Sequence, residues 1–523
     1  MTVGSMNTPG DGDFLIPPRR FERRGGWFTW PPRPQLCSAR MVDGLPLEQL
    51  AGDLRSCAGV RPQIVWNAWG AADLRIHRNP AFAGAEAYQL QVESGRVDLV
   101  ASGDAGVYYG LQTLRELVAR HRGRLPCCRI DDGPDFARRG VYLDCARGKV
   151  PTVATLCALI ERLAHWKINE LQLYLKNNFT WQGHPAIGRG FGRFTPAELL
   201  AIQEHARRHH VRFVPSLASF SHMELILALP EYRRLAELPG AMGWRGGTLL
   251  CPTDPGAWRL VAELYREFVP LFESDDFNVC CDEPWELGKG RSARRARRVG
   301  CGRLYLEFLL GLYRLCARYG KRLNAWGDIV LQYQELIREL PRDIVMLNWD
   351  YAANGTRIPR TVEFQRAGVA VMVCPGTSGW TTHGTRLRNA MANIARFAAV
   401  GRRCGAVGLL NTDWGDYGHR NLLGVSLHAL AYGAAHAWNG RGVDDGGFTR
   451  RFTRRVFGDH DGRWAEMVER LGRNTELLEK GGSPPSTLYH ALVEPLQPPA
   501  TRFVRRLPWM SPAWHYPAHF PEV

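Results

Sequence analysis

Two carboxylates stand side by side at Asp282-Glu283, after the apolar run Phe277-Asn-Val-Cys-Cys281 and before Pro284-Trp285. Adjacent residues cannot easily grip one bond from opposite sides, as facing carboxylates about 5 Å or more apart can. They can lie next to each other where a chain bends at a strand end. One can then give a proton to a leaving atom while the other faces a second group of the same substrate. On spacing alone a plainer reading stays open, in which one carboxylate caps the next helix and only the other is functional.

The pattern around the pair says what must position it. Between residues 136 and 440, apolar strands alternate with amphipathic helices. Strands are expected at Arg139–Asp144, Glu170–Leu175, Val211–Ser216, Phe277–Cys281, Arg322–Trp326, Ile344–Asn348, Val369–Val373 and Ala406–Leu410. Helices are expected in the intervals, at Val153–Trp166, Pro196–His209, Trp258–Phe272, Leu304–Tyr319 and Arg388–Ala399. Near-continuous apolar strands belong to parallel sheets covered on both faces. Eight β/α repeats predict an α/β fold closed as a (β/α)8 TIM barrel. The competing architecture is an open doubly wound sheet, but no Gly-rich dinucleotide fingerprint follows the first strand.

Residues 36–135 read as a small α/β domain ahead of the barrel. It has strands at Tyr88–Glu93 and Val97–Ala101, a helix over Val107–His121, and a boundary at Asp131-Asp-Gly-Pro134. Residues 1–35 read as a loose leader rich in Pro and Gly. Residues 441–523 read as a helical C-terminal region that runs into a Pro- and aromatic-rich tail.

A barrel of this kind does its chemistry just beyond the C-terminal ends of its strands. Polar and aromatic residues follow every expected strand: Asp144-Cys-Ala-Arg147, Lys176-Asn-Asn-Phe-Thr-Trp181, Ser219-Phe-Ser-His222, Asp282-Glu283, Trp326-Gly-Asp328, Asn348-Trp-Asp-Tyr351, Trp380, and Asn411-Thr-Asp-Trp-Gly-Asp416. Each has a structural alternative: Asp144 or Asp328 as a helix cap, His222 as a satisfied half-buried histidine, any one Trp as core. Together they suit a sugar, which needs flat apolar faces for its ring and carboxylates for its hydroxyls. With a sugar in place, adjacent carboxylates fit substrate-assisted hydrolysis, in which the substrate's own 2-acetamido group is the nucleophile.

Several dispersed motifs occur in one order: Leu171-Gln-Leu-Tyr174, Cys281-Asp-Glu-Pro-Trp-Glu-Leu-Gly-Lys-Gly290, and Asn411-Thr-Asp-Trp-Gly-Asp-Tyr-Gly-His419. Through them residues 86–440 resemble family 20 glycoside hydrolases, the β-N-acetylhexosaminidases, in a bacterial branch. The resemblance implies a retaining exo-enzyme that removes terminal β-linked GlcNAc or GalNAc through an oxazolinium intermediate. It implies Glu283 as general acid and then base, and Asp282 as the group holding the acetamido N–H. Arg147 would grip O3 and O4 of the terminal sugar, and Trp414 and Asp416 would close the far side. His222 would stand near the catalytic pair, and Trp326, Trp349 and Trp380 would wall the N-acetyl group. Tyr351, with its neighbour Asp350, would complete the substrate-binding set, its hydroxyl aligning the acetamido carbonyl. Two departures stand out. The family's Asp-rich motif after strand two is Lys176-Asn-Asn178 here, and Tyr351 follows strand six rather than strand seven.

The bulk numbers narrow the alternatives. A chain of 523 residues, 45% hydrophobic and 23% charged, has the composition of a globular enzyme. The formal charge of +16 could attract nucleic acid, anionic membrane or acidic glycans. Its densest run, Arg291–Arg298, is interleaved with small residues and reads as a solvated face. The thirteen cysteines are odd in number and many sit in apolar runs, as free thiols in a reducing compartment do. No signal-peptide core, spanning segment or zinc spacing is read, so the expected location is cytoplasmic, with no cofactor and no metal. The expected partners are terminal N-acetylhexosamine glycans or glycoconjugates, with no nucleic acid and no membrane. A glycan-binding protein without catalysis, on the same barrel, is the alternative; it would need no general acid.

Overall fold

The computed structural model describes residues 13–478, apart from 71, 83 and 417, with side chains as far as 473. The outermost parts of the expected leader and tail, 1–12 and 479–523, lie outside the described residues. The chain forms two compact units. One holds residues 13–137 with 162–168 and 434–462; the other holds 138–161, 169–433 and 463–478.

The first unit is a seven-stranded mixed sheet. Its strands are β1 (Arg20–Thr29), β2 (Gln35–Ser38), β3 (Gln63–Trp66), β4 (Leu74–Arg78), β5 (Tyr88–Val92), β6 (Val97–Ala101) and β7 (Arg124–Asp132), in the order β1-β7-β5-β6-β4-β2-β3. β5 and β6 alternate buried and half-buried residues, as strands with one covered face do. The helices Gly44–Ala58 and Asp104–His121 bury their apolar stripes in this unit. Residues 13–35 correct the expectation of a loose leader. Phe14, Leu15 and Ile16 are buried, and β1 pairs antiparallel with β7 across a register shift between Arg23 and Trp27. β1 is an edge strand exposed along most of its length, so the sequence offers no clean alternation to mark it.

The second unit holds a closed barrel of eight parallel strands, as the repeats require. They are β8 (Arg138–Asp144), β9 (Glu170–Leu175), β10 (Arg212–Leu217), β11 (Asp276–Asn278), β12 (Arg322–Trp326), β13 (Val345–Trp349), β14 (Ala370–Cys374) and β15 (Gly408–Asp413). Closure comes from β15 pairing with β8, Leu410 beside Gly140 and Asp413 beside Leu143. β8, β9 and β15 are buried along their whole length.

The first residues of five successive strands alternate in charge: Arg138, Glu170, Arg212, Asp276 and Arg322. Arg138 forks onto Glu170 at 2.8 and 2.9 Å, Arg212 bridges Glu170 and Asp276 at 2.7 and 3.0 Å, and Arg322 forks onto Asp276 at 2.7 and 2.9 Å. Glu170 and Asp276 are fully buried, and this pairing is what makes their burial tolerable. The N-terminal mouth of the barrel is therefore plugged by a charge network, which leaves chemistry to the other end.

All thirteen cysteines are free and most are buried. Among the described residues no helix is long and apolar enough to cross a membrane. Arg291–Arg298 runs into a short helix, Ala293–Val299, with Arg294, Arg297 and Arg298 exposed to solvent.

Candidate active site

β11 ends earlier than its apolar sequence suggests. Extended pairing stops at Asn278, and Cys280, Cys281 and Glu283 take φ values of 63°, 69° and 50°. Side-chain-bearing residues in this left-handed region cost roughly 1–3 kcal/mol each, so the surroundings must impose it. They do so bond by bond. Asn278 Oδ1 accepts the Cys280 N–H at 2.9 Å, and the Tyr305 hydroxyl donates to the Cys281 carbonyl at 3.0 Å. The Ser221 hydroxyl donates to the Asp282 carbonyl, and the Glu283 N–H donates to Asp328 Oδ2 at 3.1 Å. The result is a sharp bend that turns both carboxylates toward His222.

His222 Nε2 lies 3.3 Å from Asp282 Oδ2 and 3.6 Å from Glu283 Oε2. The side chains of Asp282 and Glu283 are 13% and 30% exposed. Burial pushes the Asp282 carboxyl up, but the charge and hydrogen bond of His222, with a backbone hydrogen bond and Arg147, together hold it below the ordinary value. Burial likewise opposes the His222 charge, and Asp282 outweighs it, raising the imidazole. Glu283 goes the other way. Burial raises it; His222 opposes, but Asp282, Asp328 and Asp416 add to the rise, and it reaches about 8. Two adjacent carboxyls are thus driven apart, one an anion and the other an acid at neutral pH, the arrangement by which one site supplies both roles. Burial also lifts Asp328 to about 6, with Asp282 adding to the shift. The donor atoms of His222, Asp282 and Glu283 lie within 4.8 Å of one another, near enough for a cation. The ionised His222 already supplies that positive charge, and the raised Glu283 fits a proton better than a metal bond.

Arg147, beyond β8, is 9% exposed and bridges two strand ends. It donates to Asp144 Oδ2 at 2.7 Å and lies 3.2 Å from Asp416 Oδ1. Asp144 Oδ2 also accepts the Gly415 N–H at 2.9 Å, tying β8 to the loop after β15. The guanidinium sits over the rings of Tyr174 and Trp414, 5.4 Å from each centroid. Burial raises the Asp416 carboxyl; Arg147 opposes and Asp144 adds.

The aromatic residues form one connected group. Trp414 donates its indole N–H to the Tyr351 hydroxyl at 2.7 Å. Tyr351 stacks on Trp349 with centroids 5.1 Å apart and meets Trp380 edge-on at 5.2 Å. Trp326 lies 5.8 Å from Trp414, and Tyr142 packs against both. Asp350 stands apart from this group. Its carboxylate accepts the Ala352 and Arg357 N–H groups, and a Cβ on Gly355 would meet it at 2.2 Å. It shapes the loop after β13 and points into that loop.

The structure therefore brings Arg147, His222, Asp282, Glu283 and Asp416 into one electrostatic set, and Trp326, Trp349, Tyr351, Trp380 and Trp414 into one aromatic set. Other strand-end residues named from the sequence act as supports. For Asp144 and Asp328 helix capping was the alternative weighed; one anchors Arg147 and the other holds the Glu283 backbone. Lys176, in the altered motif after β9, is buried and ion-paired with the equally buried Glu224, which immediately follows Ser219–Met223. Asn178 holds the turn by accepting the Lys176 N–H at 2.9 Å and donating to the Cys145 carbonyl at 3.0 Å.

Residues 14–133 match the family model "Glycosyl hydrolase family 20, domain 2", and residues 136–400 match its catalytic domain. A beta-hexosaminidase of Akkermansia muciniphila is 28% identical over 228 residues, 39% of this chain and 46% of that one. A beta-N-acetylhexosaminidase of Cellulomonas fimi is 34% identical over 195 residues, 33% of this chain and 39% of that one. The matched part is thus less than half the length of either relative. In fold, the chitobiase of Flavobacterium johnsoniae superposes with a TM-score of 0.70 at 19% identity, over 88% of this chain and 75% of that one. Because the catalytic-domain match alone spans just over half of the 523 residues, the chain belongs to glycosyl hydrolase family 20.

Proposed function

We propose that the chain is a retaining exo-β-N-acetylhexosaminidase that hydrolyses terminal β-linked GlcNAc or GalNAc by substrate assistance. One observation carries the reading: Asp282 and Glu283 are adjacent but oppositely poised, the first held ionised by His222 and the second raised to about 8. In this reading Glu283 protonates the glycosidic oxygen as the C1–O bond breaks. The acetamido carbonyl oxygen bonds to C1 from the other face, giving an oxazolinium ion. Asp282 takes the acetamido N–H and balances the positive charge. Its Oδ1 suits that task, being buried without a hydrogen-bond partner among the described residues. Water, deprotonated by the now ionised Glu283, then opens the ring with overall retention.

Arg147 and Asp416 would bind the outer hydroxyls of the terminal sugar, which makes the enzyme exo-acting. Trp326, Trp349, Tyr351, Trp380 and Trp414 would enclose the ring and the N-acetyl group. The hexosaminidase names of the Akkermansia and Cellulomonas relatives agree with this substrate class. The free, mostly buried thiols support a reducing, cytoplasmic location.

The test is release of p-nitrophenol from paired β-GlcNAc and β-GalNAc glycosides, with a thiazoline that mimics the cyclised intermediate. Turnover of at least one glycoside, with tight thiazoline inhibition, is expected. Sugar binding without turnover by the wild-type chain, or turnover indifferent to the thiazoline, would overturn the reading.

A further inference from the structure

A second cluster of donor atoms lies on two helices that flank the barrel. Glu161 is in the last turns of the helix Val153–His165, which follows β8. His205 is in the last turn of the helix Pro196–Arg208, which follows β9, and His209 caps that helix one turn later. The ligand-capable atoms of these three residues all lie within 4.8 Å of one another. His205 Nε2 is 3.2 Å from Glu161 Oε1, yet it makes no hydrogen bond of acceptable geometry. The two imidazoles are 4.7 Å apart between centroids and tilted by 37°.

We propose that Glu161, His205 and His209 form a binding site for one divalent transition-metal ion of the zinc class. Histidines four apart project from the same side of a helix, the spacing by which one helix supplies two nitrogen ligands. A carboxylate from the neighbouring helix completes a three-donor set, leaving one position for water. Zinc at about 2.0–2.2 Å from each donor holds them about 3.3 Å apart. His205 Nε2 and Glu161 Oε1 already stand 3.2 Å apart. Imidazole nitrogen with one carboxylate favours zinc, nickel, cobalt or copper over magnesium or calcium.

The surroundings favour a cation. Both helices end here, and helix C-termini present the negative end of the backbone dipole. Arg207, between the two histidines in the chain, is turned to Glu204 at 2.7 Å. Exposure rises from His209, which is buried, through His205 at 22% to Glu161 at 53%, so an ion can enter from solvent onto a fixed inner ligand. The C-terminal ends of barrel helices lie toward the strand starts, away from Asp282 and Glu283. A metal here would clamp two helices and leave the reaction alone.

The test uses the full chain without an affinity tag, stripped with EDTA and titrated with Zn²⁺ by calorimetry and with Co²⁺ by visible absorption. One equivalent of Zn²⁺ should bind and raise Tm by several degrees, and Co²⁺ should show the d–d bands of a four- or five-coordinate site. Losing even an outer partner of a metal ligand costs about 10–100-fold in affinity, so Glu161→Gln and His205→Ala should each weaken Zn²⁺ at least that much. Both positions are solvent-reachable, so these variants should fold, and their glycosidase rates should stay within about twofold of wild type. Asp282→Asn should keep the equivalent. No heat and no Tm rise at millimolar Zn²⁺ would overturn the proposal. So would an equivalent that survives both substitutions, or one lost in Asp282→Asn, which would put the ion at the catalytic pair.

Discussion

His222 Nε2 stands 3.3 Å from Asp282 Oδ2, where burial acting alone would neutralise both groups. Each keeps the other charged, and the same imidazolium, 3.6 Å from Glu283, restrains the rise of the acid. His222 is thus a setting for two titrations at once. It sits at φ 57°, where asparagine is tolerated better than alanine, so His222→Asn is the informative change. Losing the positive charge raises Asp282 and raises Glu283 further. Both limbs of the kcat/KM profile should therefore move to higher pH together. A role confined to packing would lower the rate and leave the limbs where they were.

Glu283→Gln should lose activity by about 10²- to 10⁴-fold, the range a positioned general acid supplies. The wild-type alkaline limb should fall near pH 8, where Glu283 gives up its proton. Stability should respond in the opposite direction. A carboxyl whose folded pKa lies above its unfolded 4.5 favours folding only while protonated, so it weakens the fold progressively as pH rises from about 4.5 through 8. Removing the titration should make Glu283→Gln more stable than wild type at pH 8, by roughly 1–2 kcal/mol once screening of a 30% exposed carboxyl is allowed for. Urea titrations at pH 5 and pH 8 would show the difference growing with pH; an inactive variant of equal stability at both would deny the buried acid.

The barrel, and the place of Asp282-Glu283 at a strand end within it, could be read from sequence because their signals are local. β9 and β12 occupy the expected residues, since apolar runs bounded by polar strand ends leave little choice of register. β11 did not follow its sequence. Cys280 and Cys281 look like strand residues, but a hydrogen bond to Asn278 and others from Tyr305 and Trp326 hold them in the left-handed region, and those partners are distant in the chain or invisible to periodicity. The Asp328 role was hidden for the same reason, since its partner is the Glu283 N–H 45 residues away, whereas Asp350 turns back onto N–H groups of its own loop, a choice periodicity does not show. Glu161 shows the limit best, because His205 and His209 carry a recognisable spacing only once a carboxylate from another helix is placed beside them.

Arg147 touches two carboxylates at different strand ends, which a lysine's point charge cannot do in the same plane. Arg147→Lys should raise KM more than it lowers kcat. One hydrogen bond to a charged group is worth about 1.5–3 kcal/mol, so kcat/KM should drop roughly 10- to 100-fold. Arg147→Ala should also destabilise the fold, by about 3 kcal/mol, because it strands the fully buried Asp144 with only backbone N–H partners. Steady-state kinetics beside thermal melts separate the two effects. Full activity in the lysine variant would mean that the bridge to Asp416 does not shape the sugar site.

The barrel's other end sets how it fails in acid. Glu170 and Asp276 are each held at about 2 against burial, Glu170 by Arg138 and Arg212, Asp276 by Arg322, Arg138 and Arg212. Their folded values lie below the unfolded 4.5 and 3.8, so their stabilisation is present above about pH 5 and is lost as pH falls toward 2. Glu170 and Asp276 are fully buried, and a carboxylate so held contributes on the order of 2–3 kcal/mol. Denaturant midpoints should therefore fall steeply between pH 5 and 3 while the arginines stay charged. Glu170→Gln should cost about 3 kcal/mol at pH 7, because Arg138 and Arg212 lose a shared partner, and should flatten the acid slope. An unchanged slope in that variant would show that the alternating ring at β8–β12 does not govern acid unfolding.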